Sequence, residues 1–182
     1  MAGYDEIIYV MFAMIIVSTM ALNANRVIQI NNATMIEGQL EGQVVAYAQD
    51  IIEESRALAY DEQTTYDEEG NSLVPVYIPS GFSALGRDDT TTDPEPEGSR
   101  TQFDDFDDFH GFQETVNING VDYDISVVVK YVSTSDYKTY TVSGKSTLKR
   151  ITVNVESDFL RKNINSDQTN YNFSFIRSYY AD

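Results

Sequence analysis

Four aspartates near the middle of the chain form a dense group of potential metal ligands. Asp104, Asp105, Asp107 and Asp108 lie within the segment FDDFDDFHGF. Carboxylate oxygens are the hard ligands that calcium prefers, so the group is a candidate calcium site. The spacing differs from that of an EF-hand loop, which needs a glycine where it turns. A solvated turn whose aspartates cap backbone amides is the favoured alternative.

Few other chemistries are open to this chain. It contains one histidine, His110, and no cysteine. Disulfides, thiol catalysis, cysteine-ligated zinc and any site that needs two histidines are therefore excluded. The sequence also shows no nucleophile–base pair and no glycine-rich phosphate loop. We expect a protein that is not an enzyme and that has no cofactor apart from the candidate calcium.

The charge balance constrains the partners. The chain carries 29 acidic and 12 basic side chains and a net charge of -17. This argues against nucleic-acid binding, which needs basic patches on the protein. Residues 126–182 are nevertheless net positive, with five acidic and eight basic side chains. Opposite charges in different regions favour head-to-tail packing of copies, although an acidic loop beside a basic strand explains them as well.

The most informative segment is the uncharged run from Ile7 to Leu22, which is sixteen residues long. As a helix it spans about 24 Å, somewhat less than the ~30 Å hydrocarbon core of a bilayer. A secretory signal is disfavoured because Met1–Glu6 lacks basic residues. Length alone leaves a buried core helix and a short membrane helix open.

The helical pattern continues beyond this run. Apolar residues recur at helical spacing at Ile36, Leu40, Val44, Tyr47, Ile51 and Leu58. No proline occurs before Pro75. We therefore predict one helix from near Tyr4 to near Asp61, apolar on all sides at first and amphipathic afterwards.

The remainder predicts a small antiparallel sheet. Asn119–Gly120 is typical of a tight hairpin turn, and strict alternation follows from Val121 to Tyr131. Two further alternating stretches cover Leu148–Val155 and Tyr171–Phe175. Such a sheet needs a cover on its apolar face, and the amphipathic half of the helix is the candidate.

The region before the sheet is acidic and irregular, and residues 87–100 predict an exposed loop. Phe103, Phe106 and Phe109 recur at a spacing of three, which predicts a tight helical turn that docks its rings on the core. The predicted organisation is an apolar helix segment at 1–26, its amphipathic continuation at 27–62, an irregular loop region at 63–114 and a sheet at 115–182. We call residues 63–182 the head.

Both ends of the chain resemble the type IV pilin and pseudopilin family. The N-terminal third shares the pattern of an acid, a long apolar stretch and an amphipathic continuation. In the head, DDFDDFHGF, a long alternating strand and LKRITVNV also resemble that family. The resemblance implies an α+β, pilin-like fold in which one very long helix packs on a small sheet. The family's leader, the proline in its apolar helix and its C-terminal cysteine pair are not seen in this sequence.

The resemblance also implies roles for individual residues. Asp5 matches the acid that meets a neighbour's N-terminal amine if Met1 is the processed N-terminus, and Glu6 matches it if Ala2 leads. The residues that would pack in a filament core are Ile7, Ile8, Val10, Met11, Phe12, Met14, Ile15, Ile16, Val17, Met20 and Leu22. Calcium binding by some pseudopilin heads gives the aspartate cluster a precedent.

The implied function is that of a structural subunit of an extracellular pilus-like filament that serves adhesion or motility. The implied partners are other copies of the chain, the inner-membrane pilus assembly machinery and the lipid bilayer before assembly. The chain would then lie in the cytoplasmic membrane first and in a cell-surface fibre later. Two alternatives stay open: a pseudopilin of a type II secretion-like machine, and a monomeric, membrane-anchored extracytoplasmic binding domain.

Overall fold

A computed structural model describes residues 2–65, 71, 73–87, 99–158, 160 and 170–181. One long helix precedes a small antiparallel sheet of five strands, so the predicted α+β, pilin-like layout is confirmed. The elements are α1 (Ala2–Ala57), β1 (Gln113–Ile118), β2 (Val121–Val132), β3 (Tyr140–Thr141), β4 (Leu148–Glu156) and β5 (Asn170–Ser178), with short 3₁₀ helices at Glu62–Thr64 and Arg100–Gln102.

Helix α1 contributes to two compact units, Met1–Gly42 and Gln43–Asp182. Within the second unit, the helix buries Val44, Ala48, Ile51 and Ser55. These positions form one stripe at intervals of three and four residues, as an amphipathic helix requires. The predicted one-sided character of this half is therefore confirmed.

The helix ends at Ala57, a few residues before the predicted end near Asp61. Arg177 on β5 donates from Nη1 to the carbonyl oxygens of Ala59 at 2.9 Å and Ser55 at 3.4 Å. A cation beside the last carbonyls of a helix is favoured by the helix dipole. Asp61 caps the following 3₁₀ helix by accepting the Gln63 N–H, which redirects the chain.

The sheet has the strand order β1-β2-β4-β5, and β3 pairs with the end of β2. All of its pairs are antiparallel. Asn119 and Gly120 adopt φ values of 54° and 86° at the turn between β1 and β2. Positive φ at both central residues is the geometry of a type I′ turn, so the predicted hairpin is confirmed.

One face of the sheet carries the core. Its buried residues on β2 and β4 are Tyr123, Ile125, Val127, Val129, Tyr131, Lys149, Ile151, Val153 and Val155. The predicted period of two is therefore confirmed on both strands. Lys149 is thus a charged residue buried on the same face as these apolar side chains.

The phenylalanine segment packs as predicted but by another local geometry. Phe103, Phe106 and Phe109 are all buried, and the rings of Phe103 and Phe109 lie 5.0 Å apart. The predicted helical turn through them is wrong, because the 3₁₀ helix ends before them at Gln102. Aspartate side chains hold the backbone here instead. Most of the predicted acidic loop, at residues 88–98, lies outside the described residues.

Candidate functional site

The first unit presents an extended apolar surface. We call the large apolar side chains of Ile7–Leu22 the apolar helix surface. Each of them is exposed, from 49% at Ile8 to 72% at Tyr9. The interpretation of this run as a core helix of the chain is therefore wrong. The helix is long and apolar enough, by length and composition, to cross a membrane.

The residues predicted to pack in a filament core all belong to this surface, and they cover every side of α1. Burying one such side chain contributes roughly 1.5–3 kcal/mol relative to leaving it in water. A contiguous apolar surface of this size marks a contact with lipid or protein. Asp5 and Glu6 lie at its N-terminal edge, in or next to the first turn, and both are exposed.

A second site lies inside the head, where Lys149 is fully buried. Its ammonium donates to Asp61 Oδ2 at 2.7 Å, to Asp107 Oδ1, and to the carbonyl oxygen of Tyr60 at 2.9 Å. Both aspartates are also buried. A buried ion pair is tolerated only when hydrogen bonds satisfy its members, and here all three ammonium protons have acceptors.

Three separate elements bring these groups together. Lys149 lies on β4, Asp61 lies in the segment that follows α1, and Asp107 lies in the turn between the phenylalanines. Aromatic rings enclose the ammonium, whose Nζ lies 4.6 Å from the ring centre of Tyr60, 5.6 Å from that of Tyr131 and 5.8 Å from that of Phe82. The rings separate the three charges from water. We call Lys149, Asp61 and Asp107 the buried charge cluster.

The buried charge cluster contains two residues that sequence reasoning missed. In the sequence, Lys149 stands out only as a member of the alternating stretch Leu148–Val155. The signal was nevertheless present, because the alternation that turns Ile151 and Val153 inward also turns Lys149 inward. A lysine on a buried face needs a buried acid, but nothing in the sequence pattern singles out Asp61.

The other aspartates of the predicted calcium site cap backbone amides. Asp105 Oδ1 accepts the N–H groups of Asp107 at 2.6 Å and Asp108 at 3.1 Å. Asp108 Oδ2 accepts the N–H groups of Asp104 at 3.0 Å and Asp105 at 2.9 Å. These paired contacts are Asx-type turns. The predicted capping is confirmed, whereas the predicted solvation is wrong, because Asp105, Asp107 and Asp108 are buried.

This arrangement bears on the calcium hypothesis. The oxygens of Asp105, Asp107 and Asp108 described above are already used by amide donors or by the Lys149 ammonium. In the part of the chain that the structure describes, no group of three or more acidic, histidine or cysteine side chains is arranged to hold a metal ion. Calcium binding therefore stays a prediction from the resemblance.

Burial changes the acidity of these groups. Burial raises the pKa of Asp105 well above its ordinary value, and the negative charges of Asp107 and Asp108 raise it further. Burial also raises the pKa of Asp107 to about 6, although the Lys149 ammonium opposes this shift. At Asp107, desolvation therefore outweighs the attraction of the Lys149 ammonium, and burial raises the pKa of both carboxyls.

We expect Asp105→Asn to alter how the stability of the head depends on pH. Because the raised pKa belongs to the folded state, the Asp105 carboxyl costs stability progressively as the pH rises above the unfolded pKa of about 3.9. The amide oxygen of asparagine still accepts both backbone N–H groups. The free energy of unfolding of the unmodified chain should therefore fall relative to the variant, by up to about 1.4 kcal/mol per pH unit.

Denaturant titrations of both chains between pH 4.5 and pH 7.5 measure this difference. Both chains keep His110, whose pKa burial lowers, so its contribution cancels in the comparison. Asp122→Asn on the exposed start of β2 is the matched control and should follow the unmodified chain. Parallel pH curves for the unmodified chain and Asp105→Asn would contradict the prediction.

His110 has a structural place in the turn. Its Nδ1 accepts the backbone N–H of Val129 at 3.1 Å. An accepting ring nitrogen must be unprotonated, so this bond and the burial of the ring both favour neutral histidine. The turn also includes Gly111, whose φ of 86° favours glycine. His110 therefore ties the turn to β2.

Comparisons with protein-family models, curated proteins and solved structures find no match to this chain.

Proposed function

We propose that this chain is a structural subunit of an extracellular, type IV pilus-like helical filament. Copies pack through the apolar helix surface, and their heads coat the fibre. The observation that carries the proposal is the exposure of apolar side chains on every side of a helix that continues, without a break, into the cover of a sheet. A permanent membrane anchor accounts for the apolar half only, whereas a subunit moved from membrane to fibre accounts for both halves.

The apolar helix surface must be kept out of water both before and after assembly. Before assembly, lipid covers the apolar helix surface, and the helix satisfies its own backbone hydrogen bonds there. After assembly, the same side chains must stay out of water, and neighbouring helices provide that cover. Inner-membrane assembly machinery is the partner that such a transfer requires. The finished fibre lies at the cell surface, where the heads serve adhesion or motility.

The geometry of such an assembly is open-ended. When one side of the helix packs against a different side of the helix in the next copy, the contact is heterologous, and a heterologous contact that does not close produces a fibre. The acidic and basic regions of the chain favour a polar, head-to-tail arrangement of neighbours. Asp5 and Glu6 give the N-terminal end a charge that needs a partner when buried, which sets the axial register of the copies.

Deletion of Met1–Arg26 tests the proposal directly. We expect no filaments from the variant, with its remaining residues recovered in soluble form, while the full chain forms fibres visible by electron microscopy of sheared cell-surface material. A full chain that forms no fibres and a deletion variant that keeps full ligand binding would support the anchored binding domain instead. A full chain that forms only short periplasmic assemblies would support the secretion-machine alternative.

We expect at least one of Asp5→Ala and Glu6→Ala to abolish fibre formation while membrane insertion is retained. The lost carboxylate would leave a neighbour's N-terminal amine unpaired inside the fibre. Glu37→Ala is the matched control, because Glu37 is another exposed acid on the same helix. Fibre yield and membrane fractionation are measured together. Normal fibres from both single variants and from the double variant would contradict the register role.

A further inference from the structure

The buried charge cluster places a primary amine against two carboxyl groups where water is excluded. The side chains of Lys149 and Asp61 are 0% exposed and that of Asp107 is 1% exposed. Such a contact holds the reactants of an amide bond together, which replaces a bimolecular encounter with an intramolecular one. An amide forms from a neutral amine and a neutral acid, and a proton passed along the contact between Lys149 Nζ and Asp107 Oδ1 gives both forms at once.

The two carboxyl groups differ in a way that assigns their roles. Asp61 is fully hydrogen-bonded: Oδ1 accepts the N–H groups of Gln63 at 3.2 Å and Ser83 at 2.7 Å, and Oδ2 accepts Lys149 Nζ at 2.7 Å. The contact of Oδ2 with Lys149 Nζ places Asp61 where it can take a proton from that nitrogen. Asp107 Oδ1 contacts Lys149, whereas Asp107 Oδ2 is buried and has no hydrogen-bond partner. An unpartnered buried oxygen is costly for a carboxylate, and its loss removes that cost.

We propose that Lys149 and Asp107 join in an intramolecular amide bond between the lysine Nζ and the aspartate Cγ, with Asp61 transferring the protons. This inference concerns the interior of the head and does not depend on filament assembly. It makes the pair a site of self-modification that needs no cofactor and no second substrate.

The reaction balances within the three side chains. One ammonium proton passes from Lys149 to Asp107, which leaves a neutral amine and a neutral acid. The Nζ lone pair then forms a bond to Cγ, and a proton moves from nitrogen to Asp61. The Cγ–OH bond breaks as the hydroxyl takes this proton back from Asp61 and leaves as water. No atom is oxidised or reduced, one water molecule is released, and Asp61 ends as a carboxylate.

The fold gives this bond a mechanical consequence. Lys149 lies on β4, which pairs with both β2 and β5, and Asp107 lies 42 residues earlier in the turn that buries the phenylalanines. An amide between them closes this part of the head into a covalent ring. A ring of this kind limits how far the chain extends when it is unfolded or pulled.

Mass spectrometry of the full chain, purified in detergent and then denatured, tests the inference. We expect an intact mass lower than the sequence mass by one water molecule, and a branched peptide after proteolysis that joins Lys149 to Asp107. Lys130→Arg, at an exposed lysine on β2, is the matched control and should keep both signals. Lys149→Arg should show the full sequence mass.

The other possible results would each contradict either the amide bond or the roles of the two acids. The full sequence mass in the folded, unmodified chain means that the cluster is an ion pair only, whatever the variants do. A mass lower by one water molecule without the branched peptide indicates a cyclic imide elsewhere and overturns the amide. A branched peptide that joins Lys149 to Asp61 overturns the roles of the two acids. In a folded Asp61→Asn variant, we expect the bond to form at least about tenfold more slowly, and an unchanged rate excludes proton transfer by Asp61.

Discussion

Replacing Lys149 with methionine is expected to lower the free energy of unfolding by about 3–5 kcal/mol. The substitution keeps most of the side-chain volume but removes the only positive charge that contacts both Asp61 and Asp107 among the described residues. Two buried carboxyl groups then face each other without a cation. A loss of this size is a large share of the 5–15 kcal/mol that holds a typical domain together.

The reason is the asymmetry between making and breaking a buried ion pair. Assembling three charges in an apolar interior costs about as much desolvation as it returns in attraction, so the intact cluster adds little net stability. Removing one member alone leaves the desolvation cost of the others unpaid. The carbonyl oxygen of Tyr60 also loses the donor that lies 2.9 Å away. These values apply to the cluster in its ion-paired form; where the proposed amide has formed, Lys149→Met removes a covalent link instead of an ion pair.

Denaturant titration in nonionic detergent, followed by the near-ultraviolet circular dichroism of the tyrosines, measures the effect. Lys130→Met, on the exposed face of β2, is the matched control and should change the free energy by less than about 0.5 kcal/mol. Adding Asp61→Asn and Asp107→Leu to Lys149→Met should recover part of the loss, because no buried charge then lacks a partner. Equal stability of Lys149→Met and Lys130→Met would contradict the prediction.

The main elements could be predicted from the sequence because their patterns are local. The uninterrupted helical run predicts α1, and the pair Asn119–Gly120 fixes the first hairpin by its backbone preference alone. Strict alternation predicts which face of β2 and β4 is buried. Each of these signals acts over a few neighbouring residues, so no tertiary information is needed to recognise it.

The buried charge cluster could not be predicted in full, because it depends on contacts between distant residues. Asp61 and Lys149 are 88 residues apart, and Asp107 belongs to a run of acids that resembles a solvated turn in sequence. The phenylalanine spacing of three predicted a helical turn. Asp105 and Asp108 instead accept backbone N–H groups that a helical turn would use, and they impose Asx-type turns. Side-chain capping overrode the periodic signal at this point.

A second large effect is expected in the apolar helix surface, where Met14→Arg combined with Ile15→Arg should release the chain from membranes. Both residues lie at the middle of the run Ile7–Leu22 and are 66% and 57% exposed. An arginine at the centre of a membrane helix costs roughly 2.5–3.5 kcal/mol on insertion scales. Two such changes oppose insertion by roughly 5–7 kcal/mol if the costs add.

The same helix provides a matched control, because the dipeptide Met-Ile occurs again at Met35 and Ile36. These two residues are also exposed, at 58% and 53%, but they lie beyond the apolar run. Met35→Arg with Ile36→Arg adds the same charge to the same helix, so it should leave the chain in the membrane fraction after an alkaline wash. Met14→Arg with Ile15→Arg should move the chain to the supernatant or prevent its accumulation.

If both double variants fractionate with the membrane to the same extent, lipid does not cover the apolar helix surface, and the membrane stage of the proposed assembly is contradicted. If only the chain with Met14→Arg and Ile15→Arg leaves the membrane, lipid contact is specific to Ile7–Leu22. This is the segment that the proposed fibre later buries between neighbouring copies.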